Sequence, residues 1–279
     1  MDRQTTTRAP IINAPLPLTV FAVLLIALHG LRVFGPESLE IAALYSGALF
    51  PERFWGWTGS LITGPGIAPP YAGAISAMAP FVLSALLHGD WFHVILNAAF
   101  LIAIGKPVLE MIGVLRGQGA GATATLFTLI FAAQAGGGLV YLLLNNPVGP
   151  IAVGASGGIS GLMGAYFLMR EGGAARLLSR SFLTVSSIFI VGNFLFALVG
   201  PTLLGASIAW EVHVGGYIAG ALFGRFLIWD AVRKLDMYAK PGRFGAILMR
   251  VASPSRLWYP HGGRDGLKAT ADGGGPDDH

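Results

Sequence analysis

The chain has 279 residues, of which 54 % are hydrophobic and only 11 % charged, and its mean hydropathy is +0.66. A soluble domain carries roughly 25 % charged residues, so this composition excludes one that keeps itself in water and points to several membrane spans. A formal charge of +4 spread over loops gives no nucleic-acid patch, and the absence of cysteine excludes disulfides, thiolate catalysis and cysteine-bound metals.

A spanning helix needs roughly 20 mostly apolar residues. Six stretches qualify: 16–34, 91–112, 121–144, 154–171, 182–200 and 208–229. The fold class expected is therefore all-α, a polytopic membrane protein with six transmembrane helices. The first stretch is taken as a retained span, because its apolar core exceeds the roughly 7–15 residues of a signal peptide and no small-x-small cleavage site follows. Residues 1–15 read as a cytoplasmic N-terminal segment, 16–230 as the membrane domain, and 231–279 as a Gly-rich, charged cytoplasmic tail.

Between the first two spans lies the long segment 35–90. Pro51, Gly56, Gly59, Pro65, Pro69 and Pro70 break any spanning helix there, so short interfacial helices are expected. Phe54, Trp55 and Trp57 suit a headgroup-level aromatic belt. Orientation follows from Lys and Arg. Arg3 and Arg8 precede the first span; Lys106 falls late in the second and Arg116 between the second and third. Arg170 ends the fourth, Arg176 and Arg180 fall between the fourth and fifth, and Arg225, Arg233 and Lys234 close the sixth. Only Arg32 and Arg53 lie on the opposite side. Both termini are thus expected in the cytoplasm, and a bacterial inner (plasma) membrane is the expected location.

Polar groups inside a bilayer are costly, so each is a functional suspect. His93 and Asn97 fall in the first two turns of the second span, Ser156 just inside the fourth, and His213 early in the sixth. At 1.5 Å per residue all four lie within roughly 10 Å of the outer hydrocarbon boundary. The chemistry such a cluster supports is acyl transfer. A serine becomes a nucleophile when a neighbouring base takes its proton, and histidine suits that task near neutrality. No carboxylate shares the depth, Glu211 being the nearest in sequence, so a Ser–His dyad is favoured over a triad. His93 and Asn97, spaced i and i+4, share a helix face and can both donate to an oxyanion, as can the Ser156 N–H near its helix N-terminus. Gly154 and Gly157 flank the serine, while Gly216, Gly220 and Gly224 follow the i, i+4, i+8 spacing that lets helices approach closely in lipid.

Other polar residues have plainer readings. His88 is expected to be solvated in the outer loop, Asp90 to cap the second span, and Gln134 to bond a neighbouring helix. Ser160 and Asn193 read as packing glue. No cofactor and no metal is called for by these residues.

The segment Gly154-Ala155-Ser156-Gly157 resembles the G-x-S-G motif of the rhomboid family of intramembrane serine proteases. His93-Val94-Ile95-Leu96-Asn97 resembles its H-x-x-x-N, and His213-Val214-Gly215-Gly216-Tyr217-Ile218-Ala219-Gly220 its H-x-x-G-x-x-x-G. The resemblance extends over about residues 16–230, with motif order and span assignment agreeing. It implies Ser156 as nucleophile and His213 as general base, with His93, Asn97 and the Ser156 amide as oxyanion hole. Gly154 and Gly157 would permit the turn that presents Ser156. It implies single-span membrane proteins as substrates, met within the lipid bilayer. It leaves the oligomeric state open. Two departures stand out. Many members carry an aromatic four residues after the nucleophile, stacked on the histidine, where this chain has Ser160. His213 is then held by another contact or by a hydrogen bond from Ser160. The Trp-Arg dipeptide that some members have in the first outer loop is also missing. A catalytically silent relative that only binds membrane clients, and a solute transporter, are the competing functions; retention of Ser156 and His213 argues against the first, and the lack of an inverted repeat against the second.

Overall fold

The computed structural model describes residues 14–60, 64, 66–171, 177–204 and 208–238. Arg3, Arg8, Pro65, Arg176 and the chain beyond 238 lie outside the described residues. Helix α1 (Leu16–Phe34) carries Pro17 in its first turn, where a missing N–H breaks no hydrogen bond. The segment that follows forms four short helices: α2 (Glu37–Gly47), α3 (Pro51–Trp57), α4 (Ala74–Met78) and α5 (Pro80–Leu83), the last running into a 3-10 turn at Ser84–Leu86. Then come α6 (Trp91–Arg116), α7 (Ala120–Leu144), α8 (Ser156–Arg170), α9 (Arg180–Leu204) and α10 (Trp210–Tyr238). These are the six expected membrane helices, with boundaries a few residues from those read in the sequence. The last runs to Tyr238, past residue 230 where the membrane domain was expected to end.

Five of the six are long and apolar enough to cross a bilayer; the exception is α8, with 15 residues. At 1.5 Å per residue α8 covers roughly 22 Å of a hydrocarbon core about 30 Å thick, so one of its ends must lie inside the membrane. The sequence predicts this span from 154; the helix starts instead at Ser156, after a single bridge at Ala152 and a positive φ at Gly154. Helix α8 is the most enclosed, packed against α7 and α10. Glycines make that possible. A Cβ on Gly216 would fall on the Gly157 carbonyl oxygen, and one on Gly220 on the Gly161 backbone, so the two helices touch backbone to backbone. By contrast only 6 % of the apolar stretch of α9 is buried, against 50 % in α7 and α10, which makes α9 the peripheral helix of the bundle.

The core runs through Leu18, Leu25, Val94, Leu101, Leu126 and Leu162, all fully buried. A second cluster of Leu49, Tyr141, Leu142, Ala152 and Val212 ties the short helices to the Ser156 end of the bundle. Leu49 and Ala152 exchange two backbone hydrogen bonds of 3.0 Å there. The aromatic group expected to lie in a headgroup belt is half-buried against the end of the bundle. Phe54 meets Phe81 edge to face, and the Trp55 indole N–H donates to the Leu142 carbonyl at 3.0 Å. An indole aimed at a helix C-terminus satisfies a carbonyl that the helix leaves free. Arg32 and Arg53, read as topology signals, are both buried. Arg53 lies between the rings of Tyr45 and Tyr71, 3.8 and 4.1 Å from their centroids, and donates to the Pro69 and Tyr45 carbonyls.

Candidate active site

The turn before α8 is held by groups from three directions. Gly154 has φ +123°, a conformation that L side chains rarely adopt, and a Cβ there would come within 2.7 Å of His93 Nε2. Its N–H donates to the Ser84 carbonyl at 2.8 Å. Its own carbonyl accepts from Gln134 Nε2 at 3.0 Å, and the same amide nitrogen donates to Ser84 Oγ at 3.0 Å. Gln134 Oε1 accepts the Gly158 N–H at 2.9 Å, satisfying one of the donors that a helix start leaves unpaired. Gln134 therefore bonds across helices as expected, and it clamps both sides of Ser156.

His88 was expected in solvent, but it is fully buried. Its carbonyl accepts from Arg32 at 2.5 Å, Arg32 also pairs with Glu40 at 2.7 Å, and the His88 ring nitrogen Nε2 faces the Ala155 N–H at 3.4 Å. Burial first, then the nearby His93, His29 and Arg32, lower its pKa to about 3, so the imidazole is neutral and free to accept. Periodicity cannot see this, because the bond that draws His88 inward comes from a residue 56 positions away in the chain.

Ser156 is the first residue of α8, and its N–H has no acceptor within the helix. Its hydroxyl Oγ is 2.7 Å from His213 Nε2. The other ring nitrogen, Nδ1, is 2.7 Å from Asn193 Oδ1 on α9, and Asn193 Nδ2 donates to the Trp210 carbonyl at 2.9 Å. A carbonyl only accepts, so the NH2 of Asn193 faces Trp210 and its oxygen faces the ring. His213 Nδ1 must then carry the proton, which leaves the Nε2 lone pair for the Ser156 hydroxyl. Ser160 is buried, and among the described residues no hydrogen bond joins it to His213. Glu211, the nearest carboxylate in sequence, accepts instead from Asn145 Nδ2 at 3.3 Å.

His93 and Asn97 lie one turn apart on α6, whose start is capped by Asp90 Oδ1 accepting the His93 N–H at 2.8 Å. Both side chains line the Gly154 turn, since a Cβ on Gly154 would also come within 3.6 Å of Asn97 Nδ2. Asn97 Nδ2 is buried with no hydrogen-bond partner. A buried amide donor left unpaired is destabilising by about 1–3 kcal/mol, so it marks a place where an acceptor would be welcome. An apolar cleft of about 550 Å³ opens between α6 and α9, lined by Phe92, Leu96, Phe100, Ile188, Phe196 and Asn193. Among the described residues no group of three or more His, Asp or Glu is arranged to hold a metal ion.

The structure thus brings Ser156 and His213 into direct contact, and sets His93, Asn97 and Gly154 around one turn. Gly157 lies against Gln134 and Val212, with room for no side chain. Asn193 is the site neighbour that sequence reasoning passed over as packing. A signal did exist: it lies about 10 Å from the end of the 182–200 stretch, the depth used to select the other four residues.

The family model for the Rhomboid domain matches residues 76–230, more than half of the chain. Comparison with curated proteins gives no match.

Proposed function

The chain belongs to the rhomboid family of intramembrane proteases, and from that premise we propose that it is a serine endopeptidase that cuts transmembrane segments of single-span membrane proteins through a Ser156–His213 dyad. The observation that carries the reading is the 2.7 Å contact between Ser156 Oγ and His213 Nε2, with the Nδ1 proton fixed on the far side of the ring. A hydroxyl and an imidazole lone pair at that distance are what a nucleophile and its base require.

In this mechanism Ser156 Oγ attacks the scissile carbonyl carbon while its proton passes to His213 Nε2. The negative charge that develops on the carbonyl oxygen is met by Asn97 Nδ2, by His93 and by the Ser156 N–H. The last of these adds the favourable dipole of a helix start. The tetrahedral intermediate collapses as His213 gives the proton to the leaving amine, and the C–N bond breaks. A water, deprotonated by the same nitrogen, then hydrolyses the acyl-enzyme and frees Ser156. Helical hydrogen bonds shield a carbonyl from attack, so substrates are those whose spanning helix unwinds easily near the cut.

The same reading takes 16–230 as the catalytic membrane domain, with 1–15 and 231–279 as cytoplasmic flanks. It places both termini in the cytoplasm of a bacterial inner membrane. Support comes from Lys and Arg gathering at the ends of α6, α8 and α10 away from Ser156. The test is cleavage of a single-span model substrate in proteoliposomes by wild type, Ser156→Ala and His213→Ala. Wild type should cut, and each variant, still folded, should lose at least about a thousandfold in kcat. A folded Ser156→Ala protein that still cuts would sink the assignment.

A further inference from the structure

We propose that Asn193 is a positioning residue for His213, holding the base in the tautomer and orientation that the chemistry needs. The proposal rests on the protease reading above. It begins from a gap: the position four after Ser156 carries Ser160, which makes no hydrogen bond to His213 among the described residues and has no ring to stack on it. An imidazole held only at Nε2 by a rotatable hydroxyl is free to tilt and to exchange tautomers. Something else must fix the ring.

Asn193 does so with both ends of its amide. Oδ1 takes the Nδ1 proton at 2.7 Å, and Nδ2 is anchored on the Trp210 carbonyl at 2.9 Å, three residues before His213 on the same helix. The anchor matters because it prevents the amide from flipping and offering a donor to the ring. A carboxylate here would orient the ring too, but it would place a charge among the phenylalanines, Leu96 and Ile188 of the α6–α9 cleft. The neutral amide gives direction without that cost. The place of Asn193 in α9 is also unusual. That helix is peripheral and mostly lipid-facing, and an amide in such a stretch is unfavourable unless it is used. A second polar link from α9 to α10 among the described residues, between Ser186 Oγ and Tyr217 OH at 2.9 Å, lies one turn from His213 along α10 and supplies a control.

The test uses full-length protein in proteoliposomes with a single-span substrate. It compares Asn193→Leu and Asn193→Ala, which lack the acceptor, with Asn193→Asp, which keeps it, and with Ser186→Ala, which removes only the neighbouring α9–α10 bond. Each is taken as the folded fraction from size-exclusion chromatography. Both acceptor-less variants should lose about 10–100-fold in kcat with KM within about twofold, the effect of one hydrogen bond that strengthens as the ring becomes charged. Labelling of Ser156 by a fluorophosphonate should slow by the same factor. Asn193→Asp, which keeps the acceptor for the ring but gives up the Trp210 anchor and adds a charge, should fall between wild type and those two variants, and Ser186→Ala should stay within about twofold of wild type. If Asn193→Leu and Asn193→Ala both keep wild-type kcat, the proposal fails. It fails equally if Asn193→Asp drops as far as they do, or if Ser186→Ala does, since Asn193 would then be only a staple between helices. Wild-type cleavage that does not depend on Ser156 would sink the protease reading instead, so the two failures are separate.

Discussion

Replacing Gln134 by Leu removes the clamp around the serine turn at nearly constant volume. The side chain is buried, so little water can enter to replace what is lost. Three hydrogen bonds disappear, to Ser84 Oγ, to the Gly154 carbonyl and from the Gly158 N–H. Side-chain hydrogen bonds in membrane proteins average about 0.6 kcal/mol, which sets a floor of roughly 2 kcal/mol for three. The Gly154 carbonyl and the Gly158 N–H would also be left buried without partners, at about 1–3 kcal/mol each, so the upper end is roughly 6 kcal/mol. Gln134→Glu keeps an acceptor for the Gly158 N–H and should lose clearly less. Reversible unfolding in mixed micelles, with wild type, Glu and Leu compared, should rank them in that order. A Gln134→Leu protein within about 1 kcal/mol of wild type would refute the clamp, because the unpaired backbone groups alone should exceed that.

Gly220→Ala would put a methyl onto the Gly161 backbone, separating α8 from α10; it should destabilise by about 1–3 kcal/mol and abolish cleavage in the folded fraction. Gly192→Ala on α9, where nothing lies within 4 Å, should change neither stability nor rate. His88 is neutral in the fold with its pKa lowered to about 3, while the unfolded chain takes up a proton near pH 6.5. Its contribution is therefore full above about pH 6.5 and is lost as pH falls toward 3, by at most about 1.4 kcal/mol per pH unit. His88→Gln should flatten the fall in melting temperature between pH 6.5 and 4.5, and an unchanged slope would contradict the burial argument. Arg53→Lys gives up stacking on Tyr45 and Tyr71 and the bond from Nε to Pro69. It should destabilise by about 2 kcal/mol and speed limited proteolysis within 35–90.

Much of this architecture was legible in the residues alone. Spanning helices are the clearest signal a sequence carries, because a backbone in hydrocarbon must satisfy itself, and α1, α6, α7, α9 and α10 lie close to the stretches marked by hydropathy. The meeting of Ser156 with His213 followed from depth and from small residues at helical spacing. What stayed hidden depends on partners far away in the chain. The indole bond of Trp55 depends on the end of α7, and the burial of His88 on Arg32. The role of Asn193 was missed because a single amide in an apolar helix looks the same whether it staples or orients; only the geometry of both its ends separates the two. The short reach of α8 was missed for a related reason. Hydropathy counts Gly154 and Ala155 into the span and does not register that a positive φ at Gly154 keeps the helix from starting before Ser156.

The most direct test of the central claim is to react the purified protein with a fluorophosphonate and map the adduct by peptide mass spectrometry, in wild type and in His213→Ala. The account predicts one adduct, on Ser156, that forms in wild type and is slowed at least about a hundredfold without the histidine. An adduct on another serine, or equal labelling of Ser156 in His213→Ala, would contradict it.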